Sequence, residues 1–289
     1  MIDWPDNLIN DLARRRAVVV IGSGVSRQSE NPLGNRPPVW HSFLDKALTD
    51  RADHLSLAHI RNAIDTGDYL HACEWLKKHY DEAWNGYLRT IFQEPGFNVS
   101  DLHRKIVEID SRIVFSLNFD DIYERTANEI KRGSHVVKHY YDNDVSEFLR
   151  GDGRYIVKIH GGLNSPDNVI FTQADYARAR IKHSSFYQAF DACLLTHSFL
   201  FIGAGYSDPD INLILENQAF GFPTSSPHYF LSSDIGHDDR KSSLRQNRNL
   251  KTIIYDKMDD DHTGLVTEIT SLVEKIDEKR QDLALYSSW

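Results

Sequence analysis

The stretch Ala17-Val18-Val19-Val20-Ile21-Gly22-Ser23-Gly24-Val25-Ser26 decides the fold class of this chain. Five apolar residues in a row, most of them β-branched, are typical of a parallel strand that is buried on both faces. The glycines that follow allow the backbone to turn tightly and to approach a ligand closely. We therefore expect a buried strand whose carboxyl end carries a ligand-binding turn, although such turns are often only structural.

Similar apolar runs recur along the chain, and helical patterns lie between most of them. The strand candidates are residues 112–119, 155–159, 199–202, 229–231 and 252–255. The helical candidates between and after them are residues 121–131, 184–196, 209–219 and 265–279. Because strands that alternate with helices form βαβ units, the sequence predicts an α/β fold with a doubly wound, Rossmann-like parallel sheet.

One region, residues 38–110, interrupts this alternation. It has few strand signals but shows helical patterns at residues 40–48, 56–64, 69–79, 84–92 and 102–109. The preceding stretch, 31–38, is rich in Pro, Gly and Asn, as a loop would be. We predict a small helical module at residues 38–110, inserted into a Rossmann-like domain that is formed by residues 1–37 and 111–289.

Composition limits the classes of function. The 289 residues carry a formal net charge of −9, which disfavours direct binding of nucleic acid or of anionic membranes. Two cysteines, Cys73 and Cys193, cannot form a four-cysteine zinc site or a disulfide scaffold, and we expect no bound metal. Residues 1–16 carry charges throughout, unlike a signal peptide, and no apolar run reaches the length of a membrane span. We expect a cytoplasmic protein.

The stretch Phe115-Ser116-Leu117-Asn118-Phe119-Asp120-Asp121 places two polar side chains at the end of an apolar strand. Asp120 could cap the helix that follows, since aspartate is a favoured N-cap residue. Capping does not explain Asn118, which interrupts an otherwise apolar run. Asn118 is therefore a candidate catalytic residue, and Asp120 is a second candidate with capping as the alternative.

Two further strand ends carry similar groups. The stretch Val157-Lys158-Ile159-His160-Gly161-Gly162 ends in a histidine, whose ordinary pKa near ~6.5 suits general base catalysis. The stretch Gly203-Ala204-Gly205-Tyr206-Ser207-Asp208-Pro209-Asp210 ends in glycines, a hydroxyl and carboxylates, with Asp208 as the expected helix cap. Because ligands of open α/β sheets bind beyond the carboxyl ends of the strands, these groups together predict a dinucleotide cleft.

These motifs together resemble the sirtuin-like family, in its prokaryotic NAD-hydrolase branch of anti-phage defence. Gly22-Ser23-Gly24-Val25-Ser26 resembles the Gly-Ala-Gly-Ile-Ser motif that opens sirtuins, and Ser116-Leu117-Asn118-Phe119-Asp120 resembles their Thr-Gln-Asn-Ile-Asp segment. Lys158-Ile159-His160-Gly161 is similar to the segment with the catalytic histidine. The stretch from Gly205 to Asp210 resembles the bacterial Gly-Tyr-Ser-x-x-Asp motif, and Thr172-Gln173-Ala174-Asp175-Tyr176 resembles its Thr-x-x-Asp-Tyr element.

The resemblance implies an NAD+ glycohydrolase that depletes NAD. It implies catalytic roles for Asn118, His160 and Asp120. It also implies that NAD binds as substrate to a set of residues from the two glycine turns, namely Gly22, Ser23, Gly24, Ser26, Gly203, Gly205, Ser207 and Asp210. The structural zinc ribbon of sirtuin deacylases has no counterpart here, since it needs four cysteines.

Two other functions stay open at this point. The same fold could bind NAD or ADP-ribose without cleaving it, or it could act as an NAD-dependent protein deacylase. For a hydrolase, activity has to be controlled, and the resemblance implies a homo-oligomer with a separate regulatory partner. A HerA-type ATPase is the first expectation for that partner, and an Argonaute-type protein is the second.

Overall fold

The computed structural model describes residues 2–51, 57–205, 208–234 and 236–286. Seven strands form one sheet in the order β3-β4-β2-β1-β5-β6-β7, and every pair of neighbours is parallel. The strands are β1 (Ala17–Ile21), β2 (Ile113–Ser116), β3 (His135–His139), β4 (Arg154–Lys158), β5 (Ser198–Ile202), β6 (His228–Ser232) and β7 (Leu250–Ile254). The predicted doubly wound α/β fold is confirmed.

The helices within the described residues alternate with these strands, apart from a block between β1 and β2. They are α1 (Asp6–Ala13), α2 (Ser23–Ser26), α3 (Trp40–Arg51), α4 (Ala58–Asp65), α5 (Tyr69–Tyr80), α6 (Trp84–Phe92), α7 (Asp101–Glu108), α8 (Ile122–Lys131), α9 (Gln173–Lys182), α10 (Ser184–Thr196), α11 (Pro209–Gly221), α12 (Asp238–Arg248) and α13 (Thr263–Tyr286). Short 3-10 turns cover Asp81–Ala83, Val145–Leu149 and Pro166–Asn168.

The central strands of the sheet are buried on both faces, which explains the continuous apolar run of β1. Since side chains alternate along a strand, Val19 and Ile21 pack toward α1, α7, α8 and α13, whereas Val18 and Val20 pack toward α9, α10, α11 and α12. A strand between two helical layers has no solvent-facing side, so polar residues are absent from β1.

Helices α3 to α6 build a third hydrophobic cluster, centred on Phe43, Leu76, Trp84 and neighbouring apolar residues. Phe171, from the segment that follows β4, closes this cluster. Helix α7 instead packs against α8 and α13, although it lies within residues 38–110. The start of the helix predicted at 56–64 lies partly outside the described residues.

Besides the short α2, two helices were not predicted, α9 and α12. Only Leu244 of α12 is buried, so this helix lacks the apolar periodicity by which helices are recognised in a sequence. Helix α9 begins with a capping box in which Thr172 accepts from the Asp175 amide and Asp175 accepts in return. That box was the available signal for α9.

The turn after β1 lies in direct backbone contact with the turn after β5. The Gly22 amide donates to Ile202 O at 3.0 Å, and the Gly24 amide donates to Gly203 O at 2.9 Å. A Cβ atom on Gly22 would lie 2.5 Å from the Ala204 Cα, and Gly203 has a positive φ of +59°. The glycines are therefore needed for the two turns to pack against each other.

This contact predicts a large difference between two Gly→Ala substitutions. Gly22→Ala should lower the free energy of unfolding by about 1–3 kcal/mol or more, because its clash is with backbone that cannot rotate away. Gly86→Ala, in the exposed part of α6 with nothing within 4 Å, should leave stability unchanged or raise it by up to about 1 kcal/mol. Urea unfolding of both variants measures the difference. Equal stability of the two variants would contradict the close approach of the turns.

Candidate active site

A cleft lies beyond the carboxyl ends of β1, β2, β4 and β5, where the strand order reverses direction. Its main cavity has a volume of about 450 Å³. The sheet side is lined by Gly22, Ser23, Asn118, His160, Gly205 and Asp208. The helical side contributes Trp40 and Tyr69, whose rings stack with centroids 6.3 Å apart. Polar groups on one wall and aromatic surface on the other suit a ligand with both hydroxyls and a flat ring.

A second cavity of about 280 Å³ lies on the other side of the glycine turns. It shares Val39 with the main cavity and is lined by Gly24, Gly203, Ser232 and Tyr255, among others. The two cavities flank the same pair of turns, so a long ligand could extend across them. The residues Gly22 and Ser23 face one cavity, while Gly24 and Gly203 face the other.

Asn118 is held in one orientation by two neighbours. Its Nδ2 donates to Gly22 O at 3.0 Å and to Ser26 Oγ at 2.9 Å. Among the described residues its Oδ1 accepts no hydrogen bond, and the side chain lines the main cavity. An amide whose donors are both used presents its oxygen to the cleft, where it can accept from a hydroxyl or a water molecule. Ser26, expected to bind phosphate, is buried and instead holds Asn118.

His160 lies across the cleft from the glycine turn and is also buried. Its Nδ1 is 3.2 Å from Leu117 O, and its Nε2 is 2.9 Å from Asp208 Oδ2 and 3.3 Å from the Tyr176 hydroxyl. Tyr176 in turn donates to Asp208 Oδ2 at 2.9 Å. The histidine is thus part of a cluster with Tyr176 and Asp208.

Tyr176 and Asp208 were not among the predicted site residues. Asp208 was expected only as a helix cap, and it does accept from the Ile211 amide at 2.8 Å at the start of α11. Its second oxygen contacts His160, which no local pattern reveals, because β4 and α11 are far apart in sequence. The Thr-x-x-Asp-Tyr element marked Tyr176, but its position beside His160 depends on how α9 packs on the sheet.

The charges in this cluster stabilise each other. Burial lowers the pKa of the His160 imidazole, but the Asp208 carboxylate raises it by more, and the net pKa lies above the usual 6.5. For Asp208, burial raises the pKa, but His160 and hydrogen bonds from Ile211 and Tyr176 lower it by more, to below 3.8. Both shifts favour an imidazolium–carboxylate pair.

Asp120 lies elsewhere. Its Oδ1 accepts from the Ile122 amide at 3.1 Å at the start of α8, and its side chain lines a separate cavity of about 400 Å³ between α8, β3 and β4. There the buried Lys158 pairs with Glu124 and donates to Asp120 O at 2.5 Å. The structure therefore does not bring the Asp120 carboxylate into the main cavity with Asn118 and His160.

The remaining predicted binding residues separate into three groups. Gly205 is exposed and lines the main cavity. Asp210 is buried beneath the cleft, where it pairs with Arg180 and accepts from the Tyr187 hydroxyl at 2.6 Å. Burial raises the pKa of Asp210, against the opposing effect of Tyr187 and Arg180. Ser207 lies outside the described residues.

The buried pair predicts a pH-dependent loss of stability for His160→Gln. Removing one partner of a buried ion pair costs about 3–5 kcal/mol, since the other charge stays buried. Because the folded-state pKa of His160 is raised, its charge stabilises the fold fully below pH 6.5, and this contribution disappears as the pH rises through the folded pKa. The difference in free energy of unfolding between wild type and His160→Gln should therefore be larger at pH 6 than at pH 9. Denaturant unfolding at both values tests this, and a pH-independent difference would argue against the ion pair.

None of the helices in the described part of the chain combines the length and apolar character needed to cross a bilayer. Within the same residues, no three His, Cys, Asp or Glu side chains come together in a group that could hold a metal ion.

The chain is similar in sequence to proteins named as NAD(+) hydrolases and to a defence-associated sirtuin. NAD(+) hydrolase ThsA of Acinetobacter baumannii (strain 532279) is 24% identical over 150 residues, which are 52% of this chain and 30% of that protein. Defense-associated sirtuin 2 of Bacillus subtilis is 24% identical over 206 residues, covering 69% of this chain and 19% of the relative. NAD(+) hydrolase ThsA of Bacillus cereus (strain MSX-D12) is 19% identical over 207 residues, covering 66% and 41%. The chain thus spans less than half the length of each of these relatives.

The family model described as SIR2-like domain matches residues 112–253. This range includes Asn118, His160, Tyr176 and Asp208, but not the glycine turn after β1. The part of the chain that supplies the polar wall of the cleft beyond β2, β4 and β5 is therefore similar to a SIR2-like domain, and the chain is similar to ThsA and to a defence-associated sirtuin.

Proposed function

We propose that this chain is an NAD+ glycohydrolase, which cleaves the nicotinamide–ribose bond and yields nicotinamide and ADP-ribose. The observation that carries the proposal is the common cavity of Asn118, His160 and the first glycine turn, which come from three different strand ends. The similarity to relatives named NAD(+) hydrolase supports the same substrate.

In this proposal NAD lies along the paired glycine turns. The pyrophosphate lies against Ser23 and against Gly22, Gly24, Gly203 and Gly205, glycines whose lack of a side chain leaves the backbone accessible. The nicotinamide ribose extends into the main cavity toward Asn118 and His160. The adenosine end occupies the cavity near Ser232 and Tyr255, whose combined polar and aromatic character suits a nucleoside.

The proposed reaction breaks the C–N bond so that its electron pair leaves with nicotinamide, which departs as a neutral molecule. The ribose then passes through an oxocarbenium-like state, as in other glycosidic cleavage. Asn118 Oδ1 orients a ribose hydroxyl or the attacking water. A water molecule adds to the ribose carbon and gives up a proton, which the neutral form of His160 can accept.

Asp120 has a supporting role in this proposal. It caps the first turn of α8 and fixes the loop that carries Asn118. Asp210 likewise supports the start of α11 rather than contacting NAD, since Arg180 and Tyr187 occupy its carboxylate.

Two other functions compete with hydrolysis. A module that binds NAD or ADP-ribose without cleaving it needs the cavities but has no need of a base beside an oriented amide, and this favours the enzyme. A protein deacylase needs an acceptor channel for an acylated lysine. We propose neither as the main function.

Release of nicotinamide from NAD by the purified protein is the direct test. His160→Ala and Asn118→Ala should each lower the rate by about 10²–10⁴-fold, the usual contribution of a general base or a positioning group. Asp120→Asn should retain most of the rate, because asparagine also caps helices.

A matched histidine serves as the control. His228 is equally buried but begins β6, at the edge of the sheet opposite the cleft, where its Nδ1 accepts from the Phe199 amide. At temperatures where this variant is folded, His228→Gln should release nicotinamide at the wild-type rate. No release by wild type, with NAD still bound, would instead support the binding module.

The biological role that we propose is NAD depletion in anti-phage defence, as the name of one relative suggests. A free hydrolase would harm its own cell, so control by assembly is expected. We propose a homo-oligomer that works with a separate partner, a HerA-type ATPase first and an Argonaute-type protein second.

The assembly proposal predicts concentration-dependent activity. Light scattering should give a mass that is a multiple of the chain's 33.3 kDa, and nicotinamide release per chain should fall on dilution below the dissociation constant. A monomer with full activity at every concentration would contradict self-assembly.

A further inference from the structure

We infer that Asp208 occupies the position on His160 that the substrate must take, and that it is a positioning residue which holds the base in a protonated resting state. The inference rests on the proposed hydrolase function. It assigns to Asp208 a role beyond capping α11.

The first step is to decide which ring nitrogen of His160 can accept a proton. Nδ1 lies 3.2 Å from Leu117 O, and a backbone carbonyl can only accept. Nδ1 therefore carries a hydrogen in both the neutral and the charged ring. The remaining nitrogen, Nε2, is the one that can act as a base.

The second step concerns the neighbour of Nε2. Asp208 Oδ2 is 2.9 Å away, and both side chains line the main cavity. A charged carboxylate at this distance favours a hydrogen on Nε2, and a ring with a hydrogen on both nitrogens is an imidazolium. In that form His160 has no lone pair for a proton from a ribose hydroxyl or from water.

Two hydrogen-bond donors other than His160 fix the Asp208 carboxylate in this position. Oδ1 accepts from the Ile211 amide at 2.8 Å, and Oδ2 also accepts from Tyr176 at 2.9 Å. Only 11% of the Asp208 side chain is exposed. The amino end of α11 adds a further preference for a negative charge here. A hydroxyl of the substrate must therefore compete with a held carboxylate.

Other charged groups near His160 do not take over this role. Asp210 also comes from α11, but Arg180 of α9 and Tyr187 of α10 occupy its carboxylate. The segment between β2 and α8 contributes the Phe119 ring and the Leu117 carbonyl, neither of which carries charge. Asp208 is the carboxylate in contact with the ring.

Tyr176 makes the exchange feasible. Its hydroxyl is 2.9 Å from Asp208 Oδ2 and 3.3 Å from His160 Nε2, so it donates to the carboxylate in the resting state. When the substrate separates Asp208 from the ring, the proton on Nε2 passes to solvent, and the neutral nitrogen can then accept from a hydroxyl. Water therefore takes up the proton that Nε2 releases.

The test is Asp208→Asn in the full chain. Asparagine caps helices as well as aspartate does, so the start of α11 is kept. Its amide can donate to neutral Nε2, and it carries no charge. The pKa of His160, followed by NMR with His160→Gln to identify its signal among the 14 histidines, should fall by about 1–3 units.

The kinetic readouts should change in the same direction. The acid limb of kcat/KM for NAD should move to lower pH by the same amount, and KM at pH 6 should decrease because no carboxylate competes. Asp259→Asn is the matched control, since Asp259 accepts from Thr263 at the start of α13, away from His160. It should alter neither the pKa nor the pH profile.

Two outcomes would overturn the inference. An unchanged His160 pKa and pH profile would make Asp208 a helix cap only. A fall in kcat at every pH, despite the lowered pKa, would make Asp208 a participant in the reaction instead of a competitor. Should Asp208→Asn not fold, Asp208→Ser keeps a capping hydroxyl and removes the same charge, with the same expected results.

A separate measurement keeps this test independent of the proposed function. In wild type, saturating NAD or ADP-ribose should lower the His160 pKa toward that of Asp208→Asn, whether or not nicotinamide is released. A His160 pKa that does not move when either ligand is bound, as measured by calorimetry, would show that the ligand leaves the pair intact and would refute the inference. Absence of nicotinamide release alone would refute only the hydrolase.

Discussion

The contact between the turns after β1 and β5 is the constraint on which the cleft depends. Gly22 and Gly24 lie against Gly203 with no room for a Cβ atom, so two strands that meet at the point of reversal end side by side. The Gly22 carbonyl, fixed by this packing, then accepts from Asn118 Nδ2. Backbone packing in one place thereby sets the direction of an amide supplied by another strand. The first role of the glycines is to let the two turns pack closely. The backbone that they leave exposed could then contact a phosphate.

How much of this could be predicted depends on whether the signal is local. The fold class followed from buried strands such as β1, because a strand covered on both faces is a continuous apolar run. Helix α12 escaped notice because only Leu244 is buried, leaving no periodic pattern. Asn118 and His160 could be recognised as polar groups at strand ends. Their meeting in one cavity depends on the strand order, which periodicity alone does not give.

Three of the predicted site residues have partners within the protein, for one shared physical reason. Asp120, Asp210 and Ser26 are polar residues next to glycine or strand ends, where binding and structural roles look alike in a sequence. In the structure each is occupied by protein: Asp120 by an α8 amide, Asp210 by Arg180 and Tyr187, and Ser26 by Asn118. Asp208 was underestimated in the opposite direction, since capping accounted for one oxygen and left the other unexplained. Whether a polar group is free for a ligand is decided by partners that come from distant elements.

The cleft thus contains one residue ready for substrate and one that is not. Asn118 presents a free oxygen because its donors are used by the scaffold, whereas both nitrogens of His160 are engaged in the ligand-free protein. In the proposed NAD hydrolase such an arrangement would keep the base unavailable, because binding energy has to separate Asp208 from the ring before a base exists. The free energy that holds the pair together lowers the affinity for NAD by the same amount. If the proposed activity and assembly both hold, an assembly or partner that shifts the start of α11 away from β4 would raise activity without touching Asn118 or His160, and control would then depend on the ionisation of one histidine.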